Sequence, residues 1–183
     1  RNLSIFAYNE AVKLLVSRLK YYDNLNIANF FGNLLYKKYQ ALLKEESLQA
    51  EDIHIFCPVP MHLKKFIKRK YNQSALLLKT MSGFAKLNGE TDFNSKIIHN
   101  LIRKKHNTEA QASLSQYNRR RNVKNSFEIT KDFAKNLAGK NIIVIDDVTT
   151  TTSTLNEIAR VLKNEGANKV YALTVAKVIT TNG

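Results

Sequence analysis

The sequence has 183 residues, 44% of them hydrophobic, which is enough for one substantial core and too few to demand two full domains. No run approaches the roughly 18–20 consecutive apolar residues of a membrane span, and a single cysteine, Cys57, argues against both a disulfide framework and a cysteine-based zinc site within the chain. The 29 Lys and Arg against 15 Asp and Glu give a formal charge of +14, a balance that favours polyanionic partners such as nucleic acid or phosphorylated metabolites.

In chain order, the first periodic segments are helical. Glu10 to Tyr21 places Val12, Leu15 and Leu19 on one face, and Ile27 to Leu43 repeats the habit with Phe31, Leu34, Leu35 and Leu42. Asp52 to Cys57 predicts a short buried strand, stopped by Pro58-Val59-Pro60. Helical periodicity resumes from Asn72 to Leu87, with Leu76, Leu77, Met81 and Phe84 inward, and Lys96 to Ile102 predicts the next strand. Residues 103–125 have no clean period, are strongly basic and contain little to bury, so they read as a mobile surface segment with a short helix.

The strongest strand is Asn141 to Ile145, closing on Asp146-Asp147. A hydroxyl-rich turn follows, then a helix with Leu155, Ile158, Ala159 and Leu162 on one face. Gly166 marks its end, and Lys169 to Val175 is another strand. Strands alternating with helices predict an α/β protein with a central, largely parallel sheet flanked by helices. One domain is expected over 1–183, with an N-terminal helical part (1–50) and a core (51–183). Ligands in such sheets bind beyond the carboxyl ends of strands, which points to Pro58–His62 and Asp146–Thr154.

The run from Asp146 to Thr154 has a chemical logic of its own. A turn between a buried strand and a helix opens backbone N–H groups toward solvent, where they and the helix dipole suit a phosphate. The hydroxyls of Thr150, Thr151, Thr152, Ser153 and Thr154 add donors for the same oxygens. Asp146 and Asp147 cannot serve a phosphate directly, but they can accept hydrogen bonds from the vicinal hydroxyls of a ribose beside it. A helix cap would explain one such residue, not two carboxylates followed by a series of hydroxyls. Neither glycine-rich phosphate-binding pattern occurs in the chain.

The apolar strand, the Asp pair and the threonine-rich turn resemble the phosphoribosyl-pyrophosphate motif of type I phosphoribosyltransferases. Three further segments narrow the resemblance to the ComF competence family. Pro58-Val59-Pro60-Met61-His62 is similar to its proline-bounded loop, and Arg69-Lys70-Tyr71-Asn72-Gln73 to its Arg-Gly-Phe-Asn-Gln box. Arg103, Thr108, Gln111, Leu114, Arg119 and Asn122-Val123, closing with Phe127, follow the spacing of a third motif. Tyr8-Asn9-Glu10 and Lys20-Tyr21 also fit, so the resemblance covers nearly the whole chain. Two positions depart from it: Thr152 and Lys70 each stand where the family usually has glycine. The family often carries an N-terminal zinc-binding cysteine cluster. None occurs here, and the missing initiator Met fits a sequence from which that segment was removed or left out.

The resemblance implies a type I phosphoribosyltransferase fold and a pocket for phosphoribosyl pyrophosphate. Asp146 and Asp147 would hold the ribose as catalytic residues. Thr150–Thr154 would take the 5′-phosphate, while Pro60, Met61, His62, Arg69 and Arg103 would lie near the pyrophosphate. Magnesium would enter with the ligand rather than through a direct protein cluster. It further implies a cytoplasmic protein that handles single-stranded DNA during natural transformation, with a competence helicase or other DNA-uptake proteins as partners and no membrane insertion. The alternatives are a nucleobase phosphoribosyltransferase of nucleotide salvage or synthesis, and a DNA-binding module on a decayed enzyme scaffold. Whether turnover survives, and on which acceptor, stays open.

Two basic clusters stand apart from the motif. Lys64, Lys65, Lys68 and Lys70 with Tyr71 form one, while Lys104, Lys105, Arg119, Arg120, Arg121 and Lys124 with Tyr117 form the other. Cations track a phosphate backbone and exposed aromatics stack bases, so these residues are the expected nucleic-acid track. A solvated basic face with core aromatics is the competing explanation. His54 and His99 sit in apolar runs and are expected to pack in the core, His106 lies in the basic segment, and only His62 stands beside a candidate site.

Overall fold

A computed structural model describes residues 1–21, 24–105 and 125–179. Four strands, β1 (Asn2–Ala7), β2 (Ile55–Pro58), β5 (Ile142–Thr149) and β6 (Val170–Lys177), form one sheet in the order β1-β6-β5-β2. Each neighbouring pair is parallel. A separate antiparallel pair joins β3 (Ile102–Lys104) to β4 (Phe127–Ile129). The helices are α1 (Glu10–Tyr21), α2 (Leu25–Glu45), α3 (Leu63–Arg69), α4 (Gln73–Leu87), the short α5 (Lys131–Ala134) and α6 (Ser153–Asn164).

Alternation along β5 sorts its side chains between two cores, as the period of a strand requires. Ile143 and Ile145 join Phe31, Leu35, Tyr39, Leu77 and Met81 beneath α2 and α4. Ile142 and Val144 join Leu155, Ile158 and Leu162 of α6 and Ile102 and Phe127 of the β3–β4 pair. A strand buried on both faces reads as a continuous apolar run, the pattern seen at Asn141 to Ile145. Helices α2 and α4 approach closely at Gly32, where a Cβ would collide with the Thr80 side chain. Local signals set the helix starts: the Asn24 side chain accepts from Asn26 N and Ile27 N, and Asn72 Oδ1 accepts from Ser74 N.

Several expectations need correction. The N-terminal Leu3-Ser4-Ile5 alternation forms an edge strand that the helical reading passed over; β1 pairs with β6 rather than leading directly into a helix. Lys96 to Ile102 is not a strand. Phe93–Lys96 is a 3-10 turn, Ile97 makes a single bridge to Phe56, and strand pairing begins only at Ile102. His99 is therefore exposed rather than packed in a core. Arg103 and Lys104, assigned to the mobile segment, belong to β3, because Phe127 to Ile129 supplies the strand that pairs with them. Residues 63–69 close into a short helix that no periodicity announced.

Cys57 lies buried in β2, and burial pushes its thiol up to about 12, as befits a small hydrophobe and not a reactive thiolate. Among the described residues no helix is long and apolar enough to cross a membrane.

Candidate active site

Strand β5 does not stop at Ile145. It continues through both aspartates to Thr149, because β6 extends alongside it and pairs Asp146 with Thr174, Val148 with Ala176 and Thr149 with Lys177. The carboxylates are thus held on a paired strand. Asp146 Oδ1 accepts from Ser74 Oγ at 3.0 Å and from Asp147 N at 2.9 Å. Asp147 Oδ1 accepts from Val148 N at 2.7 Å, and its Oδ2 pairs with the Lys20 ammonium at 2.7 Å. Burial raises the Asp146 carboxyl to about 7, and the neighbouring Asp147 charge adds to the rise.

Both aspartates floor a cavity of about 210 Å³. Its wall includes Pro60, Met61 and His62 from the loop after β2, Lys65 and Arg69 from α3, Lys20 from α1 and Lys104 from β3. The loop is tied down at two points: Asn72 Nδ2 donates to the Val59 carbonyl at 2.9 Å, and His62 Nδ1 caps α3 by accepting from Lys64 N. Gln73, 2% exposed, also lines the cavity. Its Oε1 accepts from Arg69, while its buried Nε2 finds no acceptor among the described residues. Four cationic side chains thus surround two carboxylates, with an unsatisfied amide donor in the wall.

A second, larger cavity of about 460 Å³ opens beside the first and shares Pro60, Met61, His62, Asn72 and Lys104 with it. Pro58, Phe66, Ala75 and Ile102 make it more apolar, and His99 and Asn100 stand at its wall.

The sequence expectations divide accordingly. Asp146, Asp147, Pro60, Met61, His62 and Arg69 line one cavity. Arg103 does not join them; it lines the second cavity and donates to Glu128 at 3.0 Å, its partner across the β3–β4 ladder. The turn Thr150–Thr154 is not part of the cavity wall either. Thr151 Oγ1 and Ser153 Oγ lie 2.9 Å apart, and Thr152 Oγ1 donates to the Thr151 carbonyl, so the turn bonds to itself. Thr152 has φ 55° and Lys70 φ 64°: both residues standing in for glycine adopt the left-handed conformation that glycine would take without strain.

The basic clusters are also redistributed. Lys65 and Lys104, expected on a nucleic-acid track, line the carboxylate cavity. Lys105 pairs with Glu128 at 3.4 Å, and the Tyr71 hydroxyl donates to the Leu19 carbonyl. Phe127 is buried. Lys64, Lys68 and Lys70 are exposed. His106, Thr108, Gln111, Leu114, Tyr117, Arg119, Arg120, Arg121, Asn122, Val123 and Lys124 lie outside the described residues.

Sequence reasoning missed Lys20 and Ser74 as neighbours of the carboxylates. Lys20 lies in a segment that resembles the family's, but nothing in its local spacing shows that α1 delivers its ammonium to β5.

A parallel sheet with paired carboxylates on a central strand, followed by a hydroxyl turn and a helix, is the phosphoribosyltransferase fold. Residues 95–182 match the phosphoribosyl transferase domain family. Similarity to characterised proteins extends much further along the chain. It is 28% identical over 171 residues to competence protein F of Haemophilus influenzae, covering 93% of this chain and 69% of that protein. It is 28% identical over 179 residues to the DNA utilization protein YhgH of Escherichia coli O157:H7, covering 98% and 73%. Competence protein ComFC of Streptococcus pneumoniae matches at 26% over 174 residues, covering 95% and 67%. The chain is a ComF-type relative of these competence and DNA utilization proteins.

Proposed function

We propose that the chain binds phosphoribosyl pyrophosphate in the carboxylate cavity and handles single-stranded DNA during DNA uptake, a role in keeping with relatives named for competence and DNA utilization. The observation that carries the first half is the convergence of Asp146, Asp147, Lys20, Lys65, Arg69 and Lys104 on one cavity. Vicinal ribose hydroxyls suit the two carboxylates, and a diphosphate suits the surrounding cations. The Thr150–Thr154 turn would take the 5′-phosphate on its backbone.

Among the described residues no cluster of three His, Cys, Asp or Glu could chelate a metal alone. The two carboxylates instead fit a magnesium ion that arrives with ligand oxygens, a hard ion that prefers such donors. Bound there, magnesium would neutralise diphosphate charge. The chain's own part in a transfer would be electrostatic: Asp146 and Asp147 hold the ribose while positive charge develops at its anomeric carbon, and Lys65 and Arg69 face the departing diphosphate. The bond from the anomeric carbon to the diphosphate oxygen breaks, and a bond to the acceptor's nucleophile forms. The adjoining apolar cavity favours a second reading in which that acceptor is a nucleobase, because its size and Phe66, Met61 and Pro58 lining suit a flat ring. On either reading, residues 1–183 act as one domain in the cytoplasm, without membrane insertion. On the first, a competence helicase or other DNA-uptake proteins would be partners.

Calorimetric titration with phosphoribosyl pyrophosphate and magnesium tests the pocket. The parent binds, and the double variant Asp146→Asn with Asp147→Asn loses at least about 100-fold in affinity while its melting profile stays cooperative. Unchanged affinity would reject the ribose assignment. Turnover assays across purine and pyrimidine bases then separate the two readings.

For DNA, fluorescence anisotropy at several salt concentrations should give an affinity that falls steeply with salt. Replacing Arg119, Arg120 and Arg121 by alanine should flatten the logarithmic slope by about two, at roughly 0.7 per phosphate contact. Tyr117→Ala should weaken binding without changing the slope, since stacking releases no counterions. A flat salt response, or a triple variant identical to the parent, would remove these residues from the DNA track.

A further inference from the structure

Helix α3 buries none of its seven residues, although Leu63, Phe66 and Ile67 are large and apolar. These three are 67%, 46% and 69% exposed. Apolar side chains exposed together on one short helix mark a surface that receives a partner. Phe66 also holds a particular place. It lines the cavity of about 460 Å³ beside the carboxylates and, with Asn72, Ala75 and His99, a further cavity of about 350 Å³. These four residues belong to both linings, so they form the partition between two adjoining hollows. One side of the partition is fixed: Asn72 Nδ2 donates to the Val59 carbonyl, its Oδ1 accepts from Ser74 N, and Ala75 lies on α4. The other side is the exposed ring of Phe66.

The further cavity sets Leu76 and Ile97 beside Lys70 and Lys79, and the larger one sets Ile102 beside Arg103 and Lys104. Among the described residues neither lining contains an Asp or Glu. Each hollow therefore offers apolar surface for a flat ring with cations next to it, and each has the volume of a small-molecule site. Lys64 and Lys68 add exposed charge along α3 itself. Rings joined by phosphates are the chemistry of a nucleic acid. The bases of a duplex are already stacked and cannot enter such hollows, whereas those of a single strand can. An anionic bilayer would suit the lysines together with Leu63 and Ile67, but it is flat and these hollows are concave.

We propose that the two cavities take successive bases of one single strand, with the Phe66 ring stacked between them and Lys70 and Lys79 on the strand's phosphates. The proposal rests on the reading of the chain as a handler of single-stranded DNA, and it needs none of Arg119, Arg120 or Arg121. It gives α3 a use for apolar side chains that no core of this protein takes up.

The test is fluorescence anisotropy with a labelled oligothymidylate at several salt concentrations, on the parent, three Phe66 variants and the double variant Lys70→Gln with Lys79→Gln. Phe66→Ala should weaken binding at least about tenfold and leave the salt slope unchanged, since stacking releases no counterions. Phe66→Leu keeps apolar contact without a ring and should lose at least about fivefold, while Phe66→Trp should stay within about twofold of the parent. The lysine variant should flatten the logarithmic slope by about 1.4, at roughly 0.7 per phosphate contact. Thermal melts establish that each variant is folded, and Phe66→Gln replaces the alanine variant should that one fail to fold. Phe66→Ala or Phe66→Leu equal to the parent, an unchanged slope in the lysine variant, equal affinity for a hairpin duplex, or displacement of the strand by phosphatidylserine vesicles overturns the proposal and leaves the DNA reading standing. A parent that binds no single strand overturns both.

Discussion

The carboxylate pair and the threonine turn are neighbours in sequence but are held in different ways. Asp146 and Asp147 sit on a strand paired with β6 and are bonded by Ser74 from α4 and Lys20 from α1. The turn from Thr150 to Ser153 bonds mainly to itself, and it carries a β-branched residue in the left-handed region at Thr152. The first region is pre-organised by three separate elements; the second stores backbone strain next to a helix start. Tertiary bonds fix the carboxylates, whereas local backbone preference opposes the conformation of the turn.

The largest effect separating the two regions should appear in the pH dependence of stability. A folded-state carboxyl raised to about 7 contributes stability that is present below the unfolded value of 3.8 and is lost as pH rises through about 7. Asp146→Asn removes that titration while keeping an acceptor for Ser74. In urea melts the variant should gain roughly 1–2 kcal/mol on the parent between about pH 4.5 and pH 8, less than the full shift implies because the cavity floor keeps some solvent contact. A constant difference between the two proteins across that range would mean that Asp146 is not held neutral by its surroundings.

A smaller effect is expected at the strained turn. Thr152→Gly relieves the left-handed strain but loosens the unfolded chain, leaving a net stabilisation of about 0.5–1 kcal/mol. The same change should tighten binding of phosphate-bearing ligands, which Asp146→Asn should not. Destabilisation by Thr152→Gly would show that the conformation is not costly for threonine. Lys70→Gly, at the left-handed end of α3, should give the smallest gain, about 0.5 kcal/mol, since lysine lacks the β-branch that crowds Thr152. Equal gains at both positions would erase the distinction between a strained ligand turn and an ordinary helix end.

Much of this protein was legible from local pattern. The apolar runs at Asn141 to Ile145 and Lys169 to Val175, the helical faces of α1, α2, α4 and α6, and the Asp-Asp-hydroxyl sequence are decided by side-chain periodicity and by chemistry within a few residues. The two unfavourable positions, Thr152 and Lys70, stood out through the family resemblance, as replacements for glycine, and the backbone conformation found there gives the reason glycine would suit them. What the tertiary structure alone decided were the pairings at a distance. Strand β1 exists because β6 offers it an edge, and β5 runs past its aspartates because β6 runs beside it. Arg103 leaves the carboxylates for Glu128 because β4 brings that glutamate opposite. Lys20 reaches Asp147, and Lys65 and Lys104 line the cavity, because α1, α3 and β3 converge above one end of the sheet. No local period carries such information: the charge a side chain meets depends on which distant segment packs beside it, and that is settled only when the cores on both faces of the sheet have formed.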